Sequence, residues 1–181
     1  MQTARLKSDK PTVWVIDPAY STVEFNAKKL FFGTLKGRFT QIEGNIVLGE
    51  LKSGNSSVEV AVKARSIDTG NKRRDAQLRS ADVLEADRYP DIRFESTRVE
   101  PGTDRDTLRV TGALTIKGRS KEIVLDVDKL DHSRSPDGQE VLYYSTRSGL
   151  DRLDFGIGKR LGLMGRSVKV TVNVQANRVD Q

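Results

Sequence analysis

The sequence predicts an all-β fold of about eight antiparallel strands closed as a long barrel, and three observations lead there. Apolar and polar residues alternate with period two over long stretches, giving strands with one dry and one wet face. Turn residues separate the stretches, and no alternating helices are present to cover a parallel sheet. The strands are also long: ten or so residues rise roughly 33 Å at about 3.3 Å per residue. Immunoglobulin-like sandwiches use shorter strands and a Cys-Trp-Cys pattern, and this chain has no cysteine.

In chain order, TVEFNAK sets Val23, Phe25 and Ala27 on one face, and LKGRFTQIEGNIVL fits a weaker strand. VEVAVKA aligns Val58, Val60, Val62 and Ala64 against Glu59 and Lys63. DIRFES contributes Ile92 and Phe94. TLRVTGALTIKG places Leu108, Val110, Leu114 and Ile116 opposite Thr107, Arg109, Thr111 and Thr115, and KEIVLDVDKL and EVLYYSTRS fit two further strands. SVKVTVNVQA closes the series with Val168, Val170, Val172 and Val174 on one face. KSGNSS, EPGTD, IKGRSK and SRSPDG supply turns.

NKRRDAQLRSADVLEADRYP, residues 71–90, departs from the pattern. Asn71 to Arg79 reads as a short helix anchored by Leu78. Ser80 is placed to N-cap a second one, with Asp82 in its first turn and Ala81, Val83 and Leu84 as its apolar face. Pro90 ends it. This short helical segment, about 71–87, is expected to lie across a barrel mouth.

Composition narrows the function. Residues 1–12 form a polar tail and residues 13–181 a single domain. Of the 181 residues 36% are hydrophobic and 31% charged, and no apolar run approaches the roughly 20 residues that span a bilayer. No apolar signal-peptide core precedes Trp14, so the sequence as it stands reads as cytoplasmic, or periplasmic or secreted if its start was trimmed. The net charge of +6 is interspersed, with only Lys72-Arg73-Arg74 and Lys159-Arg160 as short clusters. That describes a solvated surface, and no nucleic-acid partner is expected.

No catalytic constellation emerges. The one histidine, His132, sits in DKLDHSRSPDG, read as a hairpin turn, and no Ser-nucleophile elbow accompanies it. Without cysteines or a second histidine no metal site is expected. Asp126, Asp128 and Asp131 lack the spacing of a calcium loop, and Gly156, Gly158 and Gly162 that of a dinucleotide loop. Asp151 and Asp154 flank Arg152, and the plain reading is an ion pair that orders a bend.

Three motifs together resemble the YceI-like family of lipocalin-like, lipid-binding bacterial proteins. The first is WVIDPAYSTVEF followed by LKGRFTQIEGNI. The second is SIDTGNKRRDAQLRSADVLEADRYPDIRFES, and the third combines VTGALTIKGRSKEIVL with LDRLDFGI. The resemblance runs from Trp14 to about Arg178. It implies an extended eight-stranded lipocalin-like β-barrel with its helical segment near the mouth and an apolar channel for an isoprenoid, quinone or similar lipid. It further implies no enzymatic activity, no cofactor beyond that lipid, and a common occurrence of homodimers. The sequence departs from the family at Tyr20 and Lys29, where histidines are frequent, and at Val83-Leu84, where an aromatic is expected.

The candidate lining follows from the strand faces: Phe25, Phe39, Val60, Val62, Phe94, Val110, Leu114 and Val170, with Phe155 from the LDRLDFG bend. Leu78, Val83 and Leu84 would close the cavity from the helical segment. Leu30, Phe31, Phe32 and Leu35 form one candidate rim, and Leu161, Leu163 and Met164 another, for cargo, transient contact with a membrane surface, or a homodimer. Arg74 and Asp75 are either an ion pair anchoring the lid to the sheet or, through Arg74, a head-group contact. A packed core gives the same valine-rich pattern, and an enzyme acting on an amphiphile in that space, or an interaction module using the basic surface, are the competing readings.

Overall fold

A computed structural model describes residues 10–31 and 33–179, so most of the polar tail and Phe32 lie outside the described residues. The barrel is closed, antiparallel and eight-stranded, and three of its eight staves are kinked. β1 (Thr12–Ile16) continues as β2 (Thr22–Lys29), β3 (Thr34–Phe39) as β4 (Ile42–Leu48), and β5 (Ser57–Lys63) as β6 (Ile67–Asp68). The other staves are β7 (Asp91–Pro101), β8 (Thr107–Ile116), β9 (Arg119–Arg134), β10 (Glu140–Asp151) and β11 (Met164–Arg178). Each stave pairs with its neighbours in the chain. β11 closes the ring against both halves of the first stave, Arg178 opposite Trp14 and Val172 opposite Val23.

The kinks are stitched by side chains. Between β1 and β2, Asp17 accepts from Ala19 N at 3.0 Å, and Ser21 Oγ donates to the Asp17 carbonyl at 2.7 Å while accepting from Gln175 N at 3.1 Å. The kinks at Thr40–Gln41 and Ala64–Ser66 bond to each other: Thr40 N and Gln41 N donate to the carbonyl and hydroxyl of Ser66 at 3.2 and 3.1 Å. LKGRFTQIEGNIVL is thus one bent stave. β1 is a strand that the alternation did not single out.

Because the staves run up and down, their connections alternate between two ends. One end, here the capped end, carries the connections 30–33, 69–90, 117–118 and 152–163. The far end carries 49–56, 102–106 and 135–139. His132 lies inside β9, not in the 135–139 turn, with its ring edge-on to Trp14 at 5.9 Å.

At the capped end the first expected helix forms as α1 (Lys72–Arg79), with Asn71 accepting from Arg74 N. The second does not. Ser80 is the C-cap of α1, and Leu84 N and Ala86 N turn back to the carbonyls of Leu78 and Arg79 at 3.1 and 3.0 Å. So short a helix has too little to offset its nucleation, whereas the folded-back turn buries Val83 and Leu84 beside Leu78. This segment completes the wall beyond β6, packing on Ile67, Leu114 and Ile116.

Aromatics lie over glycines on the inner wall. A Cβ at Gly37 would meet the Phe25 ring at 2.5 Å, and one at Gly112 would meet the Phe94 ring at 2.6 Å. Only a bare backbone lets the tips of those rings come so close to the wall. One joint is incomplete: the β9–β10 ladder stops at Thr146 opposite Val127, although β10 runs on to Asp151 and β9 reaches back to Arg119. Near the capped end Lys121 crosses this joint's lower part to pair with Asp154.

Candidate functional site

The inward positions follow from the register. On β11 they are Val168, Val170, Val172, Val174 and Ala176, opposite Leu150, Ser148, Thr146, Tyr144 and Leu142 of β10. Side chains this short leave the axis unfilled. Two cavities of about 190 and 170 Å³ lie end to end, sharing Val23, Val62, Ile92 and Leu114 as common wall. Together they reach the lower part of the roughly 300–1,000 Å³ range of ligand pockets.

The far-end cavity is lined by Ile16, Ile46, Val58, Val60, Phe94, Leu108, Val110 and Tyr144, and the capped-end cavity by Phe25, Leu35, Phe39, Leu78, Val83, Leu84, Phe155, Leu161, Met164 and Val170. Every residue of the candidate lining faces one cavity or both, whereas Leu30, Phe31 and Leu163 of the candidate rims face neither. Leu30 is 59% exposed, and Leu35, expected at the rim, is buried in the wall. Ile16, Ile46, Leu108 and Tyr144 were not singled out from the sequence, though Leu108 stands on the expected face of its strand.

Two hydroxyls beside the cavities are committed to backbone partners. Ser96 Oγ accepts from Val58 N at 2.8 Å and Thr146 Oγ1 donates to the Asp126 carbonyl at 2.7 Å. Burial raises the pKa of the Tyr144 phenol. Among the described residues no group of His, Asp and Glu is placed to hold a metal ion. Among the described residues no helix is long and apolar enough to cross a membrane.

The two segments closing the capped end are each organised by a buried charge. In the first, Asp75 accepts from the amide and hydroxyl of Thr69 at 2.8 and 2.6 Å, and Arg74 bonds the same hydroxyl and the Thr69 carbonyl at 2.9 and 3.2 Å. The Thr69 hydroxyl first, with Arg79 and Arg74 adding attraction, holds the Asp75 carboxyl below the usual range. The expected Arg74–Asp75 ion pair is therefore replaced by a lock in which both side chains grip Thr69.

In the second, Arg152 is 8% exposed and donates to the carbonyls of Ile157, Gly158, Leu161, Met164 and Gly165, at 2.6–3.3 Å. A guanidinium has five N–H groups, so every donor is used. The expected ion pair with its neighbours does not form: Asp151 pairs with Arg166 at 2.7 Å, and Asp154 with Lys121. Tyr20 lies on the outer side of the first kink, 69% exposed, and Lys29 ends β2 opposite Met164. The two positions where the family often has histidines thus stand in different surroundings.

The model of the YceI-like domain matches residues 14–176. The chain belongs to the YceI-like family. A UPF0312 protein of Azotobacter vinelandii is 31% identical over 91% of this YceI-like chain and 86% of its own. Among solved structures, Burkholderia cenocepacia BcnA superposes with a TM-score of 0.78 at 21% identity, covering 88% of this chain and 98% of that one. A polyisoprenoid-binding domain from Saccharophagus degradans, implicated in plant cell wall breakdown, gives a TM-score of 0.68 at 15% identity over 92% and 98% of the two chains. At these identities the two superpositions speak for the YceI-like fold alone.

Proposed function

We propose that this YceI-like barrel binds a long-chain isoprenoid, quinone or similar amphiphilic lipid, and carries or sequesters it without chemical change. The observation that carries the reading is the pair of apolar cavities placed end to end along the axis. A chain-shaped apolar ligand suits that space because each buried methylene contributes roughly 0.8 kcal/mol and asks for no hydrogen bond. The neighbour from Saccharophagus degradans, a polyisoprenoid-binding domain by name, supports the same ligand class.

A long isoprenoid exceeds the present void. Leu161 and Met164, in the wall of the capped-end cavity, are flexible side chains that can re-pack around a longer chain. Non-catalytic binding is supported by the commitment of Ser96 and Thr146 to backbone partners and by the place of His132, which lines neither cavity. Among the described residues the inward hydroxyls of Tyr144 and Ser148 make no such bond.

The test is mass spectrometry of an organic extract of the purified protein, with native mass spectrometry of the intact complex. Co-purification of one amphiphilic lipid per chain is the expected result. An empty protein that also refuses added polyprenols would mean that the valine-lined interior is only core.

A further inference from the structure

We infer that the capped end is a docking face for an anionic lipid bilayer, an inference that rests on lipid being the cargo. At this end Leu30, Phe31 and Leu163 are 59%, 77% and 67% exposed. They come from two connections far apart in sequence, and the Leu30 N–H donates to the Leu163 carbonyl at 2.9 Å, joining the two tips. A large apolar side chain left exposed on its own is ordinary, but a contiguous set is not. Leu161 and Met164, on either side of Leu163 in sequence, line the capped-end cavity. The exposed patch is therefore continuous with the wall of the proposed lipid site.

Charge decides the occupant. Lys28 and Lys29 precede the first tip and Lys159 and Arg160 precede the second, all four exposed and with no ion-pair partner among the described residues. The four connections at the capped end contain nine Lys and Arg against five Asp and Glu, while the three at the far end contain two against four. An apolar tip ringed by cations matches the interface of an anionic bilayer, where rings and aliphatic chains sit at head-group level and lysines meet lipid phosphates. A second copy of the chain fits worse, because a two-fold contact through Phe31 would bring each basic ring against its own image. The bilayer also explains why the patch adjoins the cavity, since lipid cargo leaves a membrane at the point of contact.

The experiment is vesicle flotation of the intact protein, using phosphatidylglycerol–phosphatidylcholine vesicles and pure phosphatidylcholine vesicles, at low and high salt. The protein is expected to float with the anionic vesicles at low salt and to be released by high salt. The Phe31→Ala variant and the Lys159→Glu/Arg160→Glu double variant should each lose roughly tenfold or more of that binding. Lys52→Glu, in a far-end connection, should lose none. Both capped-end variants should still take up a polyprenol from detergent solution, read by native mass spectrometry, which also shows that they fold.

Equal binding to neutral and anionic vesicles, binding to neither, or a dimer that Phe31→Ala dissociates would each overturn the docking face. If polyprenol uptake fails in the unmodified protein while anionic vesicles still capture it, the cargo reading falls and the docking face stands.

Discussion

Thr69 gives Asp75 both its amide and its hydroxyl, at 2.8 and 2.6 Å, from the turn that leads β6 into α1. The same hydroxyl accepts from Arg74, so one threonine holds the first turn of the helix that closes the barrel. Thr69→Ala should lower stability by about 2 kcal/mol, the scale of hydrogen bonds to charged groups. Thermal melts check this, and Thr69→Ser should restore most of it.

Asp75 makes the same lock pH-dependent. Its carboxyl titrates below the ordinary range in the folded protein, chiefly through Thr69. Its stabilising contribution is therefore present above the unfolded value, near 3.9, and is lost as pH falls through the folded value. The melting-temperature gap between the protein and its Asp75→Asn variant should be widest near neutrality and shrink on acidification below about pH 4. A gap independent of pH would show that the charge plays no part.

Arg152 should be intolerant even of Lys. An ammonium has three donors on a flexible stem and cannot reach five carbonyls, so backbone groups of residues 157–165 lose their partner. We expect Arg152→Lys to cost about 1–3 kcal/mol and to speed limited proteolysis between residues 152 and 163. Cleavage unchanged from the parent would mean that the segment is held by its apolar contacts alone.

Val62 belongs to the wall common to both cavities. In a real void Val62→Phe fills space, so stability should hold while lipid occupancy of the purified protein falls at least severalfold. In a tightly packed interior the same change would be overpacking and cost about 1–3 kcal/mol. Parallel melts and extracts separate these outcomes.

At the other extreme of pH, burial penalises the Tyr144 phenolate and raises its pKa above the ordinary tyrosine value. The associated stability is fully present below the unfolded value, about 10, and is lost as pH climbs through the folded one. Tyr144→Phe should flatten the alkaline fall in melting temperature. An identical fall in both proteins would place that phenol in solvent.

The wall of the barrel was legible because its signal is local: Val58, Val60 and Val62, or Val168 to Val174, declare a face by alternation alone. TVWVI gave no such signal, being apolar on both faces, and its register comes from β4 on one side and β11 on the other. The kinks were hidden for a related reason. Ser21 looks like an ordinary turn serine until Gln175, 154 residues away, donates to it. Arg152 was misread because its neighbours are acids whereas its partners are carbonyls, and a carbonyl has no letter in a sequence. The rim was read as two separate segments, and only the Leu30–Leu163 bond makes them one.

The unfinished β9–β10 ladder gives the ring a mechanical character that a fully laced barrel lacks. A hoop bonded all round deforms stiffly everywhere, whereas a hoop slit along part of one joint flexes there first, as a split ring does. Amide hydrogens flanking Arg147–Asp151 should therefore exchange with solvent ahead of those laced into the β8–β9 ladder, where ten consecutive residues are paired. The compliance of the barrel is set by where its lacing stops.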